Sequence, residues 1–216
     1  MSDAIMGVNG PVVRVVDDDP SFLVAVARLL RAAGYTVRPF ESAAEVLAQL
    51  GGTPGCIIAD LRMPGMDGLD LQQALLRGPN ALPVIFLTGA GDIPTTVRAM
   101  RHGAEDFLTK QAPQEDLLAA VDRAIARDAR QRAQAAHSRE LNARLATLSQ
   151  RERDVLLHVV RGRLNKQIAA DLGIGERTIK LHRTAITTKL QVRSAAELTR
   201  LVQDAGRFGE SPTDLP

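Results

Sequence analysis

The segment Cys56-Ile57-Ile58-Ala59-Asp60-Leu61-Arg62-Met63-Pro64-Gly65-Met66-Asp67-Gly68 runs from apolar residues into a carboxylate and then a turn. Its opening residues show no polar alternation, the pattern of a strand buried on both faces of a parallel sheet. Asp60 closes the run, and a Pro- and Gly-rich turn follows at once. The carboxylate therefore stands at the carboxyl end of a strand, where open α/β sheets place their sites. Taken alone, it is equally well explained as a turn or helix-capping aspartate. The chain on either side separates the two explanations.

Upstream, residues 12–16 form a β-branched first strand that runs into Asp17-Asp18-Asp19. A helix is predicted over 21–33, with Phe22, Val26, Leu29 and Leu30 at helical spacing and Gly34 as its stop. A second strand covers 35–40. Ser42-Ala43-Ala44-Glu45 reads as a capping box opening a helix to about residue 50. Downstream come a helix over 69–76 and a strand over 83–88. A helix capped by Asp92, with Pro94 in its first turn, runs to residue 102. A fifth strand covers 105–110, and a long helix begins near Gln114. Five alternations of strand and helix predict a doubly wound, flavodoxin-like α/β unit around a five-stranded parallel sheet.

In a parallel sheet all the strand ends share one rim. The first strand brings Asp17, Asp18 and Asp19 there, the third Asp60, the fourth Thr88 and the fifth Lys110. Converging carboxylates repel one another unless a cation lies among them, and an all-oxygen donor set suits Mg²⁺. Asp60 is then a candidate nucleophile toward a phosphoryl group. Thr88 offers a hydroxyl, and Lys110 a point charge, to the phosphoryl oxygens.

Residues 11–128 carry the matching pieces Val16-Asp17-Asp18-Asp19, Asp60 to Gly68, Thr88-Gly89 and Phe107-Leu108-Thr109-Lys110. On these the segment resembles the receiver domain of two-component response regulators. The resemblance implies that Asp60 takes a phosphoryl group from a partner histidine kinase. It implies that Asp17, Asp18, Asp60 and the backbone carbonyl of Arg62 hold Mg²⁺, Asp18 ligating directly. Asp19 is better read as the cap of the following helix. It also implies a switch that couples Thr88 to an aromatic on the fifth strand, here Phe107; without the resemblance, Phe107 reads as ordinary core. One position departs from the family pattern: Gln111 stands where Pro, often after a cis bond, usually follows the lysine. A cis bond before Gln is several kcal/mol costlier than before Pro. Hence either the bond is trans or Lys110 is held less firmly, and altered phosphorylation kinetics are expected.

Composition sets the outer limits. The chain has 216 residues, 45% hydrophobic, 3% aromatic and without Trp, enough for aliphatic cores in one large or two small domains. A single cysteine, Cys56, excludes an internal disulfide and fits a reducing cytoplasm. No apolar run reaches the ~20 residues of a membrane span, and the N-terminus lacks a signal-peptide pattern. Residues 1–128 carry 11 Lys and Arg against 16 Asp and Glu, a net of −5; residues 129–216 carry 16 against 9, a net of +7. An acidic half joined to a basic half suggests two jobs, the second with a polyanion.

Residues 129–146 are rich in Ala, Arg and Gln; Leu141, Leu145 and, just beyond them, Leu148 recur at helical spacing. They read as a helical linker, continuous with the preceding helix or a solvated spacer, with few heptads for a coiled coil. Ser149-Gln150-Arg151-Glu152 is a second capping box, opening a helix to about residue 161. A short helix over 165–172, the turn Gly173-Ile174-Gly175, a helix over 176–190 and a fourth from Ser194 to about residue 205 complete an all-α, four-helix unit over 147–206. The remaining 207–216 read as a disordered tail.

Two helices around a glycine turn in a basic unit make a helix-turn-helix, whose second helix enters the major groove. Ile179, His182, Ile186 and Leu190 share the inward face. That leaves Lys180, Leu181, Arg183, Thr184 and Thr187 outward, with Lys180 suited to guanine and Leu181 to a thymine methyl. Asn165, Lys166, Arg177 and Lys189 are placed for phosphates. Any one of these basic residues alone reads as a solvated helix face; their clustering favours DNA. His182 has no ligand partner nearby and reads as core.

The pieces Leu148 to Glu152, Asn165 to Ala169, Thr178-Ile179-Lys180-Leu181-His182 and Lys189 to Ser194 resemble the LuxR/NarL/FixJ-type helix-turn-helix, which adds Thr178 to the DNA-facing set. The order of the two halves is similar to the FixJ-like subgroup. The resemblance implies double-stranded promoter DNA as a partner, a homodimer on phosphorylation with Leu198, Leu201 and Val202 as candidate contacts, and RNA polymerase as a further contact. Three other functions compete. An aspartate-nucleophile phosphatase would need a second carboxylate two residues after Asp60, where Arg62 stands, so only self-phosphorylation and slow autodephosphorylation are expected. A phosphorylation-independent regulator is opposed by the complete Asp18, Asp60, Thr88 and Lys110 set, while Gln111 keeps that reading open. An RNA-binding antiterminator would need a different second half.

Overall fold

The computed structural model describes residues 10–78, 81–89, 97 and 99–205. The chain forms two compact units, Met1–Arg132 and Ala133–Pro216.

In the first unit, strands β1 (Val12–Val16), β2 (Thr36–Phe40), β3 (Gly55–Ala59), β4 (Val84–Thr88) and β5 (Asp106–Thr109) form one parallel sheet in the order β2-β1-β3-β4-β5. β1, β3 and β4 are buried along their whole length, β3 through an unbroken apolar run, β1 with Arg14 and β4 with Thr88 as buried polar members. Successive residues serve opposite faces. Ile57, Ala59, Val84 and Phe86 pack with α2 (Ala43–Ala48) and α3 (Gly68–Arg77). Cys56, Ile58, Ile85 and Leu87 pack with α1 (Pro20–Ala32) and the start of α4 (Gln114–Ala146). Burial pushes the Cys56 thiol up to about 12, so it stays a protonated core residue. Residues 97 and 99–101 are helical; the predicted cap Asp92 and Pro94 lie outside the described residues, as does the predicted tail 207–216.

The floor of the sheet holds a charge cluster that periodicity does not reveal. Arg14, within β1 and buried, donates to the carbonyls of Val12, Leu50 and Thr53. Asp128 on α4, also buried, accepts from the Gly55 N–H at 2.8 Å and from Arg132 Nε. With Arg14 hydrogen-bonded to carbonyls and Asp128 paired with Arg132, neither charge is left bare in the interior.

The second unit contains α5 (Gln150–Val160), α6 (Asn165–Leu172), α7 (Glu176–Leu190) and α8 (Ala195–Asp204). Its core joins Val155, Leu156 and Val159 of α5 to Ile168, Ile179, Ile186, Leu190 and α8. Leu141 and Leu145 of α4, with Leu148, lie in this same core. The reading of 129–146 as a solvated spacer therefore fails at Leu141 and Leu145, whose four-residue spacing puts them on one helix face. A second expectation needs correcting. Leu198, Leu201 and Val202, offered above as dimer contacts, are buried in the unit's own core. α8 has one apolar face, and the fold uses it internally.

Candidate functional site

The sheet reverses its strand order between β1 and β3, and the acidic cluster sits at the carboxyl ends of those two strands, where such sheets open a crevice. Asp17 directly follows β1 and is buried; Asp60 directly follows β3 and is buried; Asp18 is exposed. One carboxylate oxygen of each lies within 4.8 Å of the others. The Asp60 amide donates to the Val16 carbonyl at 2.9 Å, which extends the β1–β3 ladder by one bond and fixes where the carboxylate leaves the sheet. Asp60 Oδ1 accepts from the Leu61 N–H at 2.7 Å, leaving Oδ2 toward Lys110.

Lys110 supplies the positive charge. Its Nζ lies 2.6 Å from Asp17 Oδ2 and 3.4 Å from Asp60 Oδ2. Burial opposes the charged form, but Asp17, helped by Asp60, outweighs it and holds the Lys110 ammonium above its ordinary pKa. Burial pushes the Asp17 carboxyl up, against the pull of Lys110. No cis peptide occurs among the described residues, so the bond before Gln111 is trans, and Lys110 still reaches both carboxylates. Thr88 is buried at the end of β4, and its carbonyl accepts from the Lys110 N–H at 2.8 Å. Phe107 is half-buried on β5, with its ring centroid 6.1 Å from that of Phe86. Arg62 is exposed, two residues beyond Asp60.

Asp19 takes the role read for it. Its Oδ1 accepts from the amides of Ser21 and Phe22 at the start of α1, while its own amide donates to Asp17 Oδ1. The donors available for a cation are thus Asp17, Asp18 and Asp60, all hard oxygens and already drawing a cationic side chain among them. That set fits Mg²⁺.

In the second unit α6 ends at Gly173 in the left-handed conformation, φ 65°, and α7 starts after Gly175. Ile179, Ile186 and Leu190 are buried and His182 is half-buried, so the inward face of α7 is as predicted. Lys180, Leu181, Thr184, Arg177 and Thr178 are exposed, Leu181 at 64%. Thr187 is half-buried. Asn165 and Arg183 are half-buried and joined, Arg183 donating to Asn165 Oδ1 at 3.0 Å; Lys166 beside them is exposed. Lys189 stands apart. Its ammonium is 2.7 Å from the buried Glu152 carboxylate and 3.3 Å from the Thr147 carbonyl.

Glu152 also closes the capping box, accepting from the Ser149 N–H at 2.7 Å while Ser149 Oγ accepts from the Glu152 amide. Lys189, then Ser149, hold the Glu152 carboxyl below the usual range. A carboxyl depressed on folding adds stability above its unfolded pKa, and this is lost as pH falls through the folded value. Glu152→Ala is expected to destabilise this unit by about 1.5 kcal/mol at neutral pH. The difference from the unsubstituted chain should shrink below pH 4.5, as thermal denaturation across pH would reveal.

An acid cluster with a lysine at the rim of a doubly wound sheet, followed by a basic helix-turn-helix, defines a class: receiver-type switches that carry a DNA-binding output. Residues 13–122 match the response regulator receiver domain, and residues 146–202 match the bacterial regulatory proteins of the luxR family. The chain belongs to the response regulator family. It is 42% identical to the response regulator protein TmoT of Ectopseudomonas mendocina, over 89% of this chain and 88% of that protein. It is also 42% identical to the transcriptional regulatory protein FixJ of Azorhizobium caulinodans, over 90% and 92%. Among solved structures, response regulator StyR superposes with a TM-score of 0.79 at 42% identity, covering 89% of this chain and 98% of that one. Full-length FixJ from B. japonicum gives 0.54 at 37%, covering 91% and 97%. The receiver implies a histidine kinase partner and the LuxR-type domain implies DNA binding. Among the described residues no helix is long and apolar enough to cross a membrane.

Proposed function

We propose that in the cytoplasm Asp60 accepts a phosphoryl group from a histidine kinase, and that the phosphorylated chain dimerises and binds specific promoter DNA, there contacting RNA polymerase. The meeting of Asp17, Asp18, Asp60 and Lys110 at one rim carries this reading.

Asp60 Oδ2 attacks the phosphorus; a P–O bond forms as the P–N bond of the phosphohistidine breaks, and the leaving imidazole keeps the electron pair and takes up a proton. Asp17, Asp18, Asp60 and the Arg62 carbonyl would hold Mg²⁺, which when bound offsets negative charge on the phosphoryl oxygens. Lys110 turns from Asp17 toward one phosphoryl oxygen, and the Thr88 hydroxyl donates to another. Phe107 follows Thr88 inward, which shifts the receiver between two states. Small phosphodonors serve in place of the kinase. Loss of the phosphoryl group to water is slow, because Arg62 supplies no general acid.

On DNA, Lys180 and Leu181 read base edges, and Thr178, Arg183 and Thr184 line the groove. Asn165, Lys166 and Arg177 take phosphates, as does Lys189 once released from Glu152. Operator binding and dimer fraction measured with and without a small phosphodonor test the whole; equal values in both conditions would favour a phosphorylation-independent regulator. Within the output half, Lys180→Ala should cost roughly tenfold in discrimination between operator and mismatched sites. Lys166→Ala should weaken all duplexes alike and lower the salt slope by about 1. Indistinguishable behaviour of the two variants would contradict this division of contacts.

A further inference from the structure

Lys110 has a third neighbour besides Asp17 and Asp60. Its Nζ lies 4.3 Å from the centroid of the Phe22 ring, within reach of a cation–π contact. Phe22 is half-buried in the first turn of α1 and packs against the core on that side of the sheet. Its place is set by the acid cluster itself. Asp17 holds the Asp19 amide at 3.0 Å, and Asp19 holds the Phe22 amide at 3.3 Å. Asp17 also holds the Lys110 ammonium at 2.6 Å, and that ammonium lies over the Phe22 ring. The contacts form a closed circuit from Lys110 through Asp17, Asp19 and Phe22 back to Lys110.

We infer that Phe22 is a positioning residue for phosphoryl transfer, its ring face holding the Lys110 ammonium toward Asp17 and Asp60. The inference rests on the reading of Asp60 as the phosphoacceptor. The need for such a support is local. Lys110 sits just past the end of β5 on a long flexible stem, and Gln111 after it imposes no ring constraint on the backbone. Its carboxylate partners lie together, and Phe22 supplies electron-rich contact from a separate element, so the ammonium stays available to the Asp60 side chain when the site changes charge. A leucine would fill the same space without a quadrupole.

The test uses the full chain with acetyl phosphate and Mg²⁺, following the phosphorylated mass with time. Phe22→Leu should slow its formation roughly fivefold, and Phe22→Tyr, which keeps the ring, should restore the rate to within about twofold. By NMR, the Lys110 ε-methylene protons of the unsubstituted chain should show an upfield ring-current shift that Phe22→Leu removes. That readout needs no phosphorylation and holds even if Phe22→Leu folds poorly. An adduct forming equally fast on Phe22→Leu, or no ring-current shift in the unsubstituted chain, overturns the role of Phe22 alone. Absence of any adduct on the unsubstituted chain overturns the phosphoacceptor reading, and this role with it.

Discussion

Asp60→Asn should abolish the ~80 Da adduct that acetyl phosphate and Mg²⁺ place on the unsubstituted chain, with operator affinity then indifferent to the phosphodonor. Asparagine has nearly the shape of aspartate, and its carbonyl oxygen can keep the 2.7 Å bond from the Leu61 N–H. What it lacks is a nucleophilic carboxylate. The fold should survive, because the change also relieves like-charge crowding with Asp17 and Asp18. Intact-mass measurement with thermal denaturation separates lost chemistry from lost structure. An adduct persisting on the variant would assign the acceptor role to another acid, Asp17 and Asp18 being nearest.

Gly68→Ala should damage stability and phosphorylation together. Gly68 opens α3, and by helix propensity alone alanine there would gain about 1 kcal/mol. Packing reverses the sign. A Cβ at this position would lie 2.4 Å from the Asp60 carbonyl oxygen, 2.9 Å from the Phe86 ring and 3.1 Å from Leu61 Cα. Two of the three are backbone atoms of the segment that carries the nucleophile. The Gly68 N–H also donates to the Leu61 carbonyl at 3.0 Å, which ties the helix start to that segment. Relieving the clash means moving Asp60 or α3, a net cost of about 3 kcal/mol for the first unit. Phosphorylation should slow at least tenfold, since ångström-scale misplacement of a reacting group costs about that much or more. Denaturation midpoints and initial adduct rates check both halves of the claim. A variant of unchanged stability and rate would mean that the turn yields without disturbing Asp60.

The fold of the first unit was legible because its strands are short β-branched or apolar runs broken by turn residues, and their ends fell within a residue or two of the expected positions. The rim was legible for the same reason: once the sheet is parallel, Asp17, Asp60, Thr88 and Lys110 have one place to go. Pairings were not legible. Nothing in the spacing of Asp17 and Lys110 says that their side chains lie 2.6 Å apart, or that Phe22 lies beneath the same ammonium. Periodicity says which face of a helix is apolar but not what covers it. Hence Leu198, Leu201 and Val202 read as a surface for a second copy, while their own core takes them. For the same reason Lys189 read as a free phosphate contact; its tie to Glu152 spans 37 residues and shows only once α5 and α7 are packed.

Leu141 and Leu145 bear on how such proteins can be taken apart and recombined. The core of the DNA-binding unit begins inside a helix that starts at Gln114, upstream of the region matched to the luxR family at residue 146. A fragment begun at the matched boundary would leave the leucine-facing side of α5 and its neighbours open to water, inviting aggregation. Grafting this output onto another sensor would therefore work best with the splice placed before Leu141, so that the transplanted piece brings its own lid.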